Sequence, residues 1–192
     1  MSNTTERSKN KTDKKKKRLI FRFVILILLF SALLFAVISN VTEDEVKVDI
    51  GDVPPNFELT HVNGDGEDDK ITLSELEGKG VMLNFWATYC KPCEEEMPYM
   101  ESLYPEYKEK GVEIVAVSVD LTRFVVDNFI EKYQLTFPVV HDNKNQVMDA
   151  YGIGPLPTTF FINPDGTIEE RVIGPLTLDR LEGYLKQIQP IE

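Results

Sequence analysis

The chain has 192 residues, a net charge of -11, 42% hydrophobic residues and two cysteines. That length leaves room for one compact domain beside any tails, and a single cysteine pair excludes a four-cysteine metal site. The charge is divided, because residues 1–22 hold nine Lys/Arg against two acids, so that -18 falls on the rest. The basic run abuts an apolar segment instead of a folded face, which is not a nucleic-acid signature.

Residues 1–18 are polar, lysine-rich and without apolar periodicity, and predict a disordered cytoplasmic tail. Residues 19–39, LIFRFVILILLFSALLFAVIS, have the length and apolarity of a bilayer-spanning helix. Arg22 lies in its first turn, from where its side chain reaches the headgroups. Lys and Arg cluster before the span and Glu43, Asp44 and Glu45 follow it, so the N-terminus is expected in the cytoplasm and the remainder outside. A cleaved secretory signal is the alternative, but the apolar core is long for one and Val37-Ile38-Ser39 is the only passable cleavage site. Both readings put the domain on the extracytoplasmic side of the cell membrane. Residues 40–50 read as an acidic linker, and the domain as 51–192.

Gly51 to Leu59 is an extended entry ending in a short strand, and Ile71–Leu73 is its partner. The acidic turn between them, His61 to Lys70, lacks the sixth-position glycine and twelfth-position acid of a calcium loop and reads as a hairpin loop. Ser74–Glu77 starts a helical turn that Gly78 ends. Val81–Ala87 (VMLNFWA) and Val112–Val119 (VEIVAVSV) are short, nearly continuous apolar runs, the pattern of buried central strands. Between them Glu94–Lys110 is helical, with a kink expected at Pro98 and a stop at Gly111. Arg123–Tyr133 is a helix, Phe137–His141 a strand and Gln146–Tyr151 a short helix. Thr158–Ile162 and Thr167–Ile173 flank Asn163-Pro164-Asp165-Gly166 as a β-hairpin, and Thr177 caps a last helix to about Ile188. Strands alternating with helices, then a hairpin and a helix, predict a three-layer α/β sandwich.

In such a sheet the chemistry gathers where a central strand runs into a helix N-terminus, and Cys90-Lys91-Pro92-Cys93 stands there. Unpaired amides and the helix dipole favour a thiolate at Cys90, the expected nucleophile. Cys93, one turn on, can resolve a mixed disulfide, and Pro92 is tolerated in a first turn. A bond closing so small a loop adds little stability, which disfavours a structural staple. The pair is therefore read as a redox-active disulfide, with no metal and no cofactor expected. A copper carrier using Cys90, Cys93 and His141 is the alternative. Leu156-Pro157, between a short helix and a strand, is a candidate cis peptide.

From Gly51 to Ile188 the chain resembles thioredoxin-fold oxidoreductases, and closely the membrane-tethered ResA type within the TlpA and AhpC-TSA group. The matching pieces are Phe85-Trp86-Ala87 before the dithiol, Pro98, the stretch Gly152–Gly166 (GIGPLPTTFFINPDG) and an added helix and strand between Val119 and His141. The resemblance implies a thioredoxin-like sandwich with an N-terminal β extension and an inserted helix and strand, preceded by one transmembrane helix. It implies that Pro157 is the cis-proline beside the dithiol, and a substrate-binding surface of Trp86, Lys91, Pro92, Leu156 and Pro157. Thioredoxins keep an aspartate where this strand has Asn84, and Glu96 matches a glutamate of the ResA type, so Glu96 takes the proton-transfer role. Lys91 departs from the glutamate usual there. The implied activity is reduction of exported protein disulfides, notably the haem-binding C-x-x-C of apocytochrome c during cytochrome c-type biogenesis, with electrons from a CcdA-like membrane thiol-disulfide carrier. Another exported target (a spore or cell-envelope protein), or a non-catalytic copper- or peptide-binding module, is the alternative.

Overall fold

The apolar runs become the centre of one mixed sheet. The computed structural model describes residues 20–35, 48–64, 66 and 69–191, and the chain divides into two units, Met1–Glu45 and Val46–Glu192. In the first unit, α1 is helical over its described residues 20–35, with its apolar side chains exposed. Among the described residues no helix is long and apolar enough to cross a membrane. The expected tail 1–18, both ends of the 19–39 span and residues 40–47 of the linker lie outside the described residues.

The second unit contains, in order, β1 (Glu58–His61), β2 (Lys70–Thr72), a 3-10 turn (Leu73–Leu76), β3 (Gly80–Trp86), α2 (Lys91–Glu109), β4 (Val112–Ser118), α3 (Arg123–Tyr133), β5 (Val139–His141), α4 (Gln146–Ala150), β6 (Thr158–Ile162), β7 (Ile168–Ile173) and α5 (Leu178–Gln187). The seven strands lie in the order β2-β1-β5-β4-β3-β6-β7. β3, β4 and β5 run parallel, whereas β6 is antiparallel to β3 and β1 to β5. β3 and β4 are buried along their whole length because helices or loops cover both faces.

Alternation along β3 divides the core into two layers. Met82 and Trp86 join the helical side chains Met97, Met100, Tyr104, Val126, Phe129, Leu181 and Leu185 on one face. Val81, Leu83 and Phe85 join Val48, Phe57, Val147 and Tyr151 on the other. Each such apolar side chain, fully buried, contributes about 1.5–3 kcal/mol. Gly80 opens β3 at a place with no room for a side chain, since a Cβ there would lie 2.0 Å from the carbonyl oxygen of Ile188.

Two local expectations need amendment, and the helix around Pro98 is extended. Val48, in the stretch read as linker, is 4% exposed and belongs to the core. α2 is one helix through Pro98 and also through Pro105; both prolines face solvent, where water can satisfy the carbonyls they leave unpaired. Thr177 stands at the N-cap of α5, but its side chain makes no capping bond; its carbonyl accepts from Leu181 N.

Candidate active site

β3 ends at Trp86, and the chain turns through Ala87, Thr88 and Tyr89 into α2. The turn is held by buried Asp120, just past β4. Thr88 donates to its carboxylate twice, from N at 2.9 Å and from Oγ1 at 2.7 Å, and Ser118 Oγ donates at 3.0 Å. Cys90 N donates to Ala87 O at 3.1 Å. The site is thus fixed to two adjacent parallel strands before the helix begins.

Cys90 is the N-cap of α2 and is bonded to Cys93 (Sγ–Sγ 1.99 Å). Cys90 Sγ accepts from Cys93 N at 3.3 Å, the position an oxygen takes in an ordinary N-cap. Cys90 O accepts the first helical bond from Glu94 N at 3.1 Å, and Pro92 sits in the first turn. Cys90 is half-buried, whereas Cys93 is 0% exposed. An incoming partner can reach only the first of the two sulfurs.

Glu96, one turn beyond Cys93, is 1% exposed. Its Oε1 accepts from Asn84 Nδ2 at 2.8 Å and its Oε2 from Leu176 N at 3.0 Å. Burial raises its pKa to about 7, against the opposing pull of the Leu176 and Asn84 hydrogen bonds. Asn84 also donates to Thr159 Oγ1 at 3.0 Å, while its own buried Oδ1 has no hydrogen-bond partner among the described residues. Alternation places Asn84 on the same face of β3 as Met82 and Trp86, toward α2.

Lys91 does not stand alone beside the sulfur. Its Nζ pairs with Glu94 Oε2 at 3.1 Å, and Glu94 Oε1 accepts from Lys132 Nζ at 3.0 Å and from the Tyr133 hydroxyl. These bonds, Tyr133's foremost, lower the Glu94 pKa to about 2, and Glu94 raises that of Lys91. The inserted helix α3 is thereby tied to the first turn of the redox helix.

Trp86, expected on the substrate-binding surface, is 0% exposed and packs on Phe129 with ring centroids 4.6 Å apart. It cannot touch a substrate and is corrected to a support beneath the site. Lys91 is exposed and Pro92 and Leu156 are half-buried, while Pro157 is buried. The Leu156–Pro157 bond is cis. β6 pairs Thr158 with Phe85, so Leu156-Pro157 stands at the end of β3 from which the Cys90 turn leaves. Leu156 N and O enter no hydrogen bond among the described residues.

The histidine of the copper alternative is otherwise engaged, with His141 Nε2 2.7 Å from Asp120 O. Among the described residues no group of three His, Cys, Asp or Glu side chains is placed to hold a metal. A surface cavity of about 220 Å³, lined by Val53, Leu73, Val81 and Ile162 among others, opens toward the opposite end of β3 and includes no residue of the dithiol site. Sequence reading missed Asn84 as the holder of Glu96, Leu176 as its second donor, Asp120 as the clamp of the turn and the tie of Glu94 to Lys132 and Tyr133. The one polar residue in VMLNFWA was the available signal for the first.

A parallel-centred sheet, an N-cap dithiol with one accessible sulfur and a cis-proline at the same strand end together define a thioredoxin-fold oxidoreductase. Residues 50–171 match the sequence profile of the AhpC/TSA family. The chain is 58% identical over 181 residues to the thiol-disulfide oxidoreductase ResA of Oceanobacillus iheyensis (94% of each chain), and 51% identical over 176 residues to that of Bacillus anthracis (92% of this chain, 99% of the other). The crystal structure of StoA from Bacillus subtilis superposes with a TM-score of 0.60 at 33% identity, covering 69% of this chain and 97% of that one. The chain belongs to the AhpC/TSA family and is a thiol-disulfide oxidoreductase of the ResA type.

Proposed function

We propose that the dithiol works as a reductant outside the cytoplasmic membrane, anchored through residues 19–39, and that its target is the haem-binding C-x-x-C disulfide of apocytochrome c. The observation that carries the redox reading is the division of the two sulfurs, one accessible at a helix N-cap and one buried, within a turn of an acid whose pKa is near 7. The similarity to ResA proteins supports the choice of reductase over oxidase.

In the reduced form the Cys90 thiolate attacks one sulfur of the substrate disulfide, forming a mixed disulfide and releasing the other sulfur as a thiolate that takes up a proton. Cys93 then loses its proton to the Glu96 carboxylate and attacks Cys90 Sγ. The mixed disulfide breaks, the second substrate thiolate leaves, and the Cys90–Cys93 bond forms. Two electrons have passed to the substrate, and the structure holds the resulting oxidised state. A membrane dithiol carrier of CcdA-like type returns the two electrons. Asn84 and Leu176 hold the Glu96 carboxyl through the cycle. Lys91, Pro92, Leu156 and Pro157 face or support the bound segment, and the free N–H and C=O of Leu156 can pair with its backbone.

The test is to reduce the full chain with dithiothreitol and mix it with an oxidised C-x-x-C-H peptide. Reduction by wild type, none by Cys90→Ser and a trapped mixed disulfide in Cys93→Ser are expected. In cells, normal c-type cytochromes in a Cys90→Ser strain would sink the proposed target, and protease resistance of the domain in intact spheroplasts would sink the proposed side of the membrane.

A further inference from the structure

β7 holds both ends of the segment that carries the cis-proline. Just past β7, Gly174 N donates to Pro157 O at 2.8 Å. The other end is held by a side chain, since Arg171 Nη2 donates to Gly152 O at 3.2 Å. From the same guanidinium, Nη1 donates to Val48 O at 3.3 Å. Neither carbonyl accepts from another donor among the described residues. The β6–β7 register explains the reach. Arg171 pairs with Phe160 and sets its guanidinium 5.3 Å from the centre of that ring, on the core layer to which Val48 also belongs. Val48 is itself fixed, being 4% exposed, and its segment is bonded to β7 through Gly51 N to Ile168 O at 2.8 Å and Ile168 N to Asp52 O at 2.9 Å.

Between the two ends, Thr158 Oγ1 donates to Pro155 O at 2.8 Å, and Leu156 N and O make no hydrogen bond among the described residues. The Leu156 main chain therefore stands where the ends of its segment put it. A planar guanidinium holds two carbonyls at once in a fixed fork, which the point charge of an ammonium does not. We propose that Arg171 is a positioning residue for substrate: by bridging Gly152 O and Val48 O it places the Leu156 main chain to pair with the backbone beside the reacting cysteine of a polypeptide disulfide. The N-terminal entry segment around Val48 is then part of the substrate-binding apparatus, although it touches no substrate. Because the Leu156 segment is ordered before the substrate arrives, less freedom is lost on binding. Backbone pairing at Leu156 is the same in the bound substrate and in the transition state, so Arg171 sets KM and leaves kcat alone. This rests on the reductase reading above.

The experiment uses the full reduced chain in detergent solution and three substrates: a peptide disulfide, the same peptide N-methylated on the residues flanking its cysteine, and hydroxyethyl disulfide, which has no backbone to pair. Arg171→Met keeps an apolar stem and loses the fork. It is expected to raise KM for the plain peptide about tenfold at unchanged kcat, the size of one lost hydrogen bond to a charged group. With the N-methylated peptide and with hydroxyethyl disulfide, Arg171→Met should react as wild type does. Arg171→Lys should fall between the two for the plain peptide. An unmoved KM, an equal rise for both peptides, or full wild-type KM in Arg171→Lys overturns the bridge. Tyr104→Phe, which loses a hydrogen bond to Glu113 in the other core layer, controls for stability, with urea midpoints measured for every variant. Its KM should stay at the wild-type value, and a rise like that of Arg171→Met would make Arg171 a stabilising residue only. If wild type reduces none of the three substrates, the reductase reading falls and this one with it; reduction of all three with KM indifferent to Arg171 removes the bridge alone.

Discussion

Asn84 Nδ2 donates to Glu96 Oε1 at 2.8 Å, joining the central strand to the helix that carries the dithiol across twelve residues of sequence. The strand position cannot titrate, so the acid is supplied from the helix and only held from the strand. With its pKa raised from 4.5 to about 7 by burial, Glu96 can accept a proton and give it back near neutral pH. Glu96→Gln keeps the size and the amide acceptor but removes the base. The closing step, in which Cys93 attacks the mixed disulfide, is expected to slow about 100-fold. Single-turnover quenched flow that follows decay of the transient mixed disulfide with Cys93 intact measures it, and an unchanged rate removes the assignment.

The same shift makes stability depend on pH. The folded pKa lies above the unfolded one, so the native state binds the extra proton and the contribution is fully present below about pH 4.5. It is lost as pH rises through about 7. The loss is on the order of 3 kcal/mol for the oxidised protein. Urea unfolding of wild type and Glu96→Gln from pH 4.5 to 8 should give curves that separate over that window; parallel curves would show that the buried carboxyl is not the source.

Asn84→Asp would set a second carboxyl at the place of the Nδ2 donor. Two carboxyls at that distance cannot both ionise, so the pair would keep one proton to well above pH 7. The pH midpoint of dithiol exchange is expected to rise by more than about one unit. A pH–rate profile reads this directly, and a midpoint left in place would mean that Asn84 does not set the environment of Glu96.

Features that depend on neighbours in sequence could be read from it. The N-cap dithiol, the hairpin around Asn163-Pro164-Asp165-Gly166 and the cis Leu156–Pro157 bond follow from local spacing or from resemblance, and the structure has all three. What remained hidden depends on which residues the fold brings together. Trp86 stands four residues before Cys90 and looked available to substrate, but α3 returns Phe129 over it. Asp120, one residue past the apolar run Val112–Val119, carries no local signal, and its role appears only once the β3–β4 register sets it beside Thr88. The charge of Lys91 could not be weighed because one of its indirect partners, Lys132, comes from α3, 38 residues beyond Glu94.

Glu94 therefore governs how Lys91 acts on the dithiol. While Glu94 holds Lys91, Lys132 and Tyr133 together, the Lys91 ammonium is drawn to a carboxylate instead of to Cys90. Glu94→Ala frees it, and a nearby cation favours the thiolate. Cys90 of the reduced variant is expected to alkylate with iodoacetamide several-fold faster at pH 6, and the dithiol to become more oxidising. Lys91→Met/Glu94→Ala should return both to the wild-type values. Equal rates in wild type and Glu94→Ala would show that the cluster only braces α3.

Asp120 tests whether the turn before the dithiol is held by the clamp or by the helix. Its carboxylate accepts from Thr88 N, Thr88 Oγ1 and Ser118 Oγ, and it is 3% exposed. Asp120→Ala removes all three acceptor contacts and leaves buried donors unpaired, which costs about 2–4 kcal/mol. Asp120→Asn keeps one oxygen but turns an amide donor toward groups that themselves donate, so its loss should fall in between. The local effect should exceed the global one, since Thr88 and Tyr89 lead directly into Cys90. Hydrogen exchange of the Thr88 amide is expected to accelerate more than that of the β3 core in both variants, and attack on a peptide disulfide to slow with it. Equal acceleration across β3 would show that Asp120 stabilises the sheet and has no special hold on the turn.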